Sequence, residues 1–453
     1  MWGTNAQHAA SSRVPPMELR EVLDAALGNN PEIRTAMRRV SSSEAKISGA
    51  GALEDPMGMY RNWGTPLNKP WDLNQAQNMF MVQQTFPGFG KRAARSAVAS
   101  KETEVTKLEV EAMRREVAVR VRKAFLDLLR SRDEHRIHDD QMRLTRQALT
   151  SAQVKYTVGK VPQQDVLKAQ IALTKLAQHL IGVDQDAAMA RAELNTLMGR
   201  SPDAPLEIVG EYTTPARIPA LLDLEKTALE NRPELLAIQK EAEVADGKTG
   251  LAKLGYKPDF TVSAGYMLMP PGAMTRNTYT AEVTVNLPWL NKRKHDAEIA
   301  EAKTMAEVTR SEFETRRAAV FLEIQQALIR AQAAQNSLKL YQETLRPQTE
   351  ATVKAAAAAY QHDRTDFLNL IDSQNMLLDV ETSYYKAAAE LDARLAELER
   401  AVGAELPNDL RAGRERENPH PVSALRLRSG QAPPAETRVG HPEDGARGAK
   451  EEK

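Results

Sequence analysis

The chain repeats itself. Asn30-Pro31-Glu32-Ile33 returns as Arg232-Pro233-Glu234-Leu235, an offset of 232 − 30, or 202. Thr85-Phe86-Pro87 returns as Asn286-Leu287-Pro288 at 201, and Lys155-Tyr156 and Met198-Gly199 return as Ala359-Tyr360 and Val402-Gly403 at 204. Four landmarks in one order at nearly one spacing define a tandem duplication of about 200 residues, so both halves must be read with one architecture. The 453 residues then divide into an N-terminal segment (1–18), a first repeat (19–203), a second repeat (204–406) and a tail (407–453). The tail shifts to Pro, Gly, Arg and Glu with no apolar period and reads as disordered.

Each repeat reads as a short helix, two strands, a very long helix, a tight break and a second long helix. In the second repeat Phe260, Val262, Ala264, Tyr266 and Leu268 alternate with polar or small residues, as do Tyr279, Ala281, Val283, Val285 and Leu287. This period of two gives a hairpin with one apolar face, and strands of about ten residues suffice to cross a bilayer when tilted. Pro270-Pro271-Gly272 to Asn277 joins them as an exposed loop. The first repeat carries a weaker copy, with Phe80, Val82, Gln84 and Phe86 on one face and Met57 to Trp63 in or near the partner strand.

Helical period dominates elsewhere. Leu173, Leu176, Leu180, Val183, Ala187, Ala190, Leu194 and Leu197 keep a 3-4 spacing, a strict heptad seam. The seam recurs 204 residues on from Leu377 to Ala401, broken only by Arg394, and a third runs from Val320 to Leu345. No proline interrupts Lys91 to Val158, a run that would extend about 100 Å as helix. A rod of that length needs antiparallel partners to bury its seam, and each repeat supplies one. Aromatic residues at 5% suit such Ala- and Leu-rich coils better than a thick globular core.

Lys and Arg (61) balance Asp and Glu (61), so no net field recruits nucleic acid. Cysteine is absent, which removes disulfides and thiolate metal sites. No stretch is apolar for long enough to form a transmembrane helix, so any membrane span must be built of strands. Residues 1–20 lack the apolar core of a secretory signal although Ala9-Ala10-Ser11 resembles its end; an exported chain needs one, and the start is read as truncated. Gly88-Phe89-Gly90-Lys91-Arg92 lacks the spacing and the Ser/Thr of a phosphate loop, and nucleophile-elbow and zinc-helix motifs are missing, so neither an enzyme nor a cofactor is expected.

Strand hairpin, long helix, Gly-containing break and return helix, all duplicated, resemble the TolC-like outer membrane efflux proteins. The junction motifs are similar to that family's: Asn30-Pro31-Glu32, Phe86-Pro87-Gly88-Phe89-Gly90-Lys91-Arg92, Tyr156-Thr157-Val158-Gly159-Lys160 with Asp165-Val166-Leu167, and Asn231-Arg232-Pro233-Glu234. The second of these looks most like the heavy-metal, Cus/Czc-type branch. The resemblance covers about Leu19 to Gly403. It implies a mainly α protein with four strands per protomer, a homotrimer sharing a twelve-stranded β-barrel in outer-membrane lipid, and a periplasmic α-helical tunnel. The implied function is a passive conduit of a tripartite efflux pump for heavy-metal cations or drugs, with a periplasmic adaptor and an inner-membrane transporter as partners.

The same resemblance places a gate at the helix-hairpin tips, where Asp372, Asn369, Asp366 and Arg364 would form the pore constriction. It puts adaptor contact at Val158, Gly159 and Lys160. Pro87 and Pro288 stand at strand-to-helix junctions, where a missing N–H costs nothing and the fixed φ directs the turn. Acidic residues at the tips have a plain alternative as helix N-caps. No metal site is assigned: Met57 and Met59 carry thioethers suited to soft ions, and His135 and His138 lie three apart on a helix, but neither pair shows the further ligands a site requires. Two other functions fit parts of the pattern, a soluble coiled-coil scaffold and a protein-secretion outer-membrane channel. Paired apolar-faced strands argue against the scaffold.

Overall fold

The computed structural model describes residues 15–65, 67–68, 76–213, 217–362 and 364–406. The expected tail (407–453) and residues 1–14 of the N-terminal segment lie outside them.

The first repeat runs α1 (Leu19–Asn29), α2 (Pro31–Gly51), β1 (Met57–Trp63), β2 (Gln77–Phe86), α3 (Lys91–Thr157) and α4 (Gln163–Leu197). The second runs α5 (Leu221–Asn231), α6 (Pro233–Lys253), β3 (Phe260–Leu268), β4 (Asn277–Val285), α7 (Lys292–Leu340), a π-helical turn (Tyr341–Leu345), α8 (Arg346–Gln361) and α9 (Phe367–Val402). The single short helix expected before the strands is in fact two. Pro31 and Pro233 start the second of each pair, because proline lacks the N–H and the backbone freedom to continue a helix.

The two repeats close in the same way. The Asn30 side chain accepts from the backbone N–H of Glu32 and Ile33, capping α2, and its Nδ2 donates to the Leu197 carbonyl at the end of α4 (2.9 Å). In the second repeat Arg232 stands in that place and its Nη1 donates to the Ala401 carbonyl (2.7 Å), 204 positions after Leu197. Beside these contacts Gly199 and Gly403 adopt φ of 69° and 75°.

The heptad seams face inward. Leu176, Val183, Ala190, Leu194 and Leu197 of α4 are buried, as are Leu377, Tyr384, Ala387, Leu391, Leu398 and Ala401 of α9. One core gathers Val22, Ala26, Ile33, Val117, Val121 and Phe125 around the end of α4. Its copy gathers Leu224, Ala228, Leu235, Val320 and Ile324 around the end of α9. The third seam is interrupted where Pro347 enters the helix at its second residue: the preceding turn widens to π geometry and so absorbs the hydrogen bond that proline cannot make. The rod of the first repeat, α3, is a continuous helix of 67 residues.

The four strands form one antiparallel sheet in the order β1-β2-β3-β4. Its central pair, β2 with β3, joins the repeats through Phe86↔Phe260, Gln84↔Val262, Val82↔Ala264 and Phe80↔Tyr266. Strand β4 ends at Val285, two residues short of the expected Leu287, because Asn286 turns its side chain to Asp259.

Candidate functional site

Register assigns every strand residue to a face. One face carries Tyr60, Phe80, Val82, Phe86, Phe260, Val262, Ala264, Tyr266, Tyr279, Ala281, Val283 and Val285. These are large apolar groups left open: Tyr279 is 87% exposed, Val283 65% and Val82 59%. An apolar face of this kind requires lipid or another apolar cover. The opposite face carries Gln77, Gln83, Thr85, Thr261, Ser263, Thr278, Thr280, Glu282 and Thr284 together with Arg61, Trp63 and five methionines, a more polar surface. Strands β1 and β4 are the edges of the sheet among the described residues. No described helix is long and apolar enough to cross a membrane.

Where strands become helices, Asp259 holds the turn. Its Oδ1 accepts from Lys91 Nζ (2.7 Å) and from the Gly88 N–H (2.6 Å), and its Oδ2 accepts from Asn286 Nδ2 (3.2 Å). Lys257 Nζ donates to the Phe89 carbonyl (2.9 Å), and Arg92 Nε to the Gly51 carbonyl (2.7 Å). Gly88 is required by proximity, since a Cβ there would lie 2.6 Å from the Pro258 carbonyl oxygen, and Gly90 by its φ of 89°. The Phe-Pro-Gly-Phe-Gly-Lys-Arg motif is thus a clamp that pins both repeats at one point. Pro87 and Pro288 lie here, Pro288 opening the 3-10 turn that leads into α7. Burial raises the Asp259 carboxyl, but Lys91, the Gly88 N–H and Asn286 outweigh it and hold it below the usual carboxylate range.

At the far end the hairpins α3–α4 and α8–α9 pack tip to tip through Ala148, Ala152, Ala169, Tyr360, Phe367, Leu370 and Ile371. Lys155 crosses between them, with Nζ 4.0 Å from the centre of the Tyr360 ring and 3.1 Å from its carbonyl oxygen. Gly159 takes a φ of 72° and lets the Lys160 N–H return to the Lys155 carbonyl (2.8 Å), a Schellman-like close. Val158 beside it is 64% exposed.

Asp366 is the N-cap of α9, its side chain accepting from the Asn369 N–H (3.0 Å), while Asn369 Nδ2 donates to Thr365 (3.0 Å). Asp372 points outward from α9, and Arg364 is exposed on the connecting turn. Among the described residues neither forms an ion pair within the chain.

The histidines separate. His135 turns its ring nitrogens to Asp139 (3.3 Å) and Asp184 (3.5 Å), while buried His138 sets Nδ1 2.9 Å from the Glu134 carbonyl oxygen and lies against His179. No group of three or more His, Cys, Asp or Glu is placed to hold a metal among the described residues. The methionines instead converge: Met57, Met59, Met79, Met81 and Met267 share the polar face of the sheet. Sequence reasoning singles out Met57 and Met59 without fixing the face they occupy. It also misses Asp259, whose only signal is its position between Pro258 and the first residue of a strand.

An apolar-faced sheet, clamped at one edge to paired coiled coils that end in packed hairpin tips, is the make-up of a β-type membrane channel and not of an enzyme or a soluble scaffold. The chain belongs to the outer membrane efflux protein family, whose model matches residues 22–200 and 224–404, one match per repeat. It is therefore an outer-membrane efflux channel protein. It is 21% identical over 384 residues to the cobalt-zinc-cadmium resistance protein CzcC of Cupriavidus metallidurans, covering 83% of this chain and 89% of that protein. Its fold matches the solved structure of CusC with a TM-score of 0.71 at 15% identity, covering 88% and 96% of the two chains. VceC of Vibrio cholerae matches with a TM-score of 0.69 at 16% identity, over 85% and 96%.

Proposed function

We propose that three copies of this chain close a twelve-stranded barrel and serve as a passive conduit for transition-metal cations. One observation carries the assembly: a sheet of four strands with an apolar face has two open edges, β1 and β4. Backbone groups at an edge have no partner in lipid, so the sheet must close, and four strands are too few to close alone. Twelve strands from three copies satisfy every edge. The helices then continue the wall as a tunnel. The chain carries no nucleotide motif, so an inner-membrane transporter supplies the energy, and a periplasmic adaptor meets the tip at Val158, Gly159 and Lys160. Exposure of Val158 supports that contact. Asp372, with Arg364, Asp366 and Asn369 near it, rings the constriction, and Asp366 contributes by capping the helix that carries Asp372.

The cargo reading rests on the likeness to CzcC, a cobalt-zinc-cadmium resistance protein, together with the junction motif. Deleting the gene should lower tolerance to a transition metal more than to lipophilic drugs. Clear drug sensitivity with unchanged metal tolerance would refute it. Detergent-solubilised protein should run as a trimer with both helix and strand in its circular dichroism; a water-soluble monomer without strand signal would refute the barrel.

A further inference from the structure

Five methionines occupy the face of the sheet that also carries Gln, Thr, Ser and Glu side chains, with Arg61 and Trp63 at its β1 end. Met59 stands directly opposite Met81, and Met79 directly opposite Met267. Directly opposed side chains in an antiparallel pair have Cβ atoms about 5 Å apart, and diagonal neighbours about 7–8 Å, both within reach of a thioether arm. Met57 extends the set along β1. The patch spans three strands and crosses the boundary between the repeats.

Two further observations mark it as more than apolar filling. The sulfurs meet polar groups on this face: Arg61 Nη2 lies 3.7 Å from the Met59 sulfur, Gln83 Nε2 3.9 Å from the Met57 sulfur, and Gln77 Nε2 contacts the Met267 sulfur. The exposed aromatic residues and valines stand on the other face, with Trp63 at the end of β1 as the exception among the described strand residues. Second, Gly265 interrupts β3 directly opposite Met81, and a Cβ there would lie 2.4 Å from Met81 Cγ. Glycine inside a strand weakens it, and such positions mark close approach. Here the space is filled by the Met81 side chain laid across β3.

We infer that this patch binds soft monovalent d10 cations, Cu(I) or Ag(I), through thioether sulfur on the lumen side of the barrel. Thioethers are neutral, polarizable donors that favour Cu(I) over harder divalent ions. Among the described strand residues Glu282, opposite Ser263, is the only carboxylate on this face, and cysteine is absent from the chain, so the face offers little to Zn(II). Neutral ligands in a row hold an ion loosely at several points, as passage through a conduit requires. The inference rests on that face lining the conduit, and within the transition-metal reading it favours soft monovalent ions over the divalent ions in the name of CzcC.

The test uses the full-length detergent-solubilised protein, with Ag(I) titrated by calorimetry, Cu(I) by competition with a colorimetric chelator, and Zn(II) as the comparison. Wild type should bind Ag(I) and Cu(I) more tightly than Zn(II). Combined Met59→Leu, Met79→Leu, Met81→Leu and Met267→Leu should weaken both by tenfold or more while the oligomer is retained. If the fourfold variant does not fold, Met59→Leu with Met81→Leu alone should give a threefold or greater loss. Ag(I) binding unchanged in a folded variant, or Zn(II) bound as tightly as Ag(I), overturns the site. Tolerance of the deletion strain to silver and copper is read separately. Sulfur-dependent binding with unchanged cellular tolerance to every metal overturns the cargo proposal and leaves the patch standing.

Discussion

Three glycines with positive φ offer a comparison in which only the surroundings differ. Gly159 closes α3 at the tip with a φ of 72°, and a Cβ added there meets nothing within 4 Å. Gly403 closes α9 with a φ of 75°, but its added Cβ would lie 2.6 Å from Arg232 Cα and 2.8 Å from the Asn231 carbonyl oxygen. Both positions charge an L residue about 1–2 kcal/mol for the left-handed conformation. Gly159→Ala should cost about that and no more. At Gly403 backbone must also move apart, and the segment displaced carries Arg232, whose Nη1 bond to Ala401 (2.7 Å) and Nη2 bond to Glu323 (2.5 Å) are charge-assisted. Losing the better part of one such bond adds about 1.5–3 kcal/mol, so Gly403→Ala should cost about 3–5 kcal/mol. Gly199→Ala, with its Cβ 2.7 Å from the Asn29 carbonyl oxygen, should follow Gly403 and not Gly159. Thermal unfolding of the solubilised variants, followed by far-UV circular dichroism at one scan rate, ranks them. Equal loss at positions 159 and 403, or a larger one at 159, would mean that the repeat ends are not packed as closely as described and that backbone strain alone sets the cost.

Asp259→Asn should destabilise the strand-to-helix junction by about 2 kcal/mol, since Lys91 loses its counter-charge. The carboxyl is held below its ordinary value, so this contribution is full above about pH 4 and fades as pH falls through the lowered value; wild type and variant should therefore converge in acid, and a constant gap down to pH 2 would contradict the assignment. In planar bilayers Asp372→Ala should weaken cation selectivity and cation block, because like charges gathered in a narrow pore interact far more strongly than in bulk water. Arg364→Ala should raise resting conductance if the turn latches a neighbouring protomer; unaltered conductance and selectivity in both variants would place the gate elsewhere.

The parts of this fold that repeat or alternate are legible in the chain, since the 201–204 offsets and the heptads survive without any tertiary contact. The parts set by one long-range pair are not. Asn30 and Arg232 differ in chemistry, so nothing local shows that each ends in a bond to the carbonyl closing the last helix of its own repeat. Asp259 lies 168 positions from Lys91, and its role appears only when the two junctions meet. Met57-Gly58-Met59-Tyr60-Arg61 has no clear polarity by itself, and its face is decided by pairing with β2. The split at residue 30 has Pro31 as its local signal, since proline opens α2 and cannot continue α1. Arg364 on the turn, and Asn369 and Asp372 in the first two turns of α9, are located by sequence order alone once Asp366 is seen as the cap of that helix.

The central strand pair also dictates an order of events during synthesis. Phe86 faces Phe260 across it, yet the two are 260 − 86, or 174, positions apart. At about 5–20 residues per second β2 emerges roughly 10–30 s before the strand it must join. Throughout that interval the first hairpin has an open inner edge and an apolar face, a state prone to pairing with whatever strand is nearest. Helix hairpins, whose contacts lie within one repeat, form in about microseconds to milliseconds and leave no open strand edge. Maturation should thus run from the coils toward the sheet, and periplasmic holdases that shield unpaired strands should matter most for the first repeat.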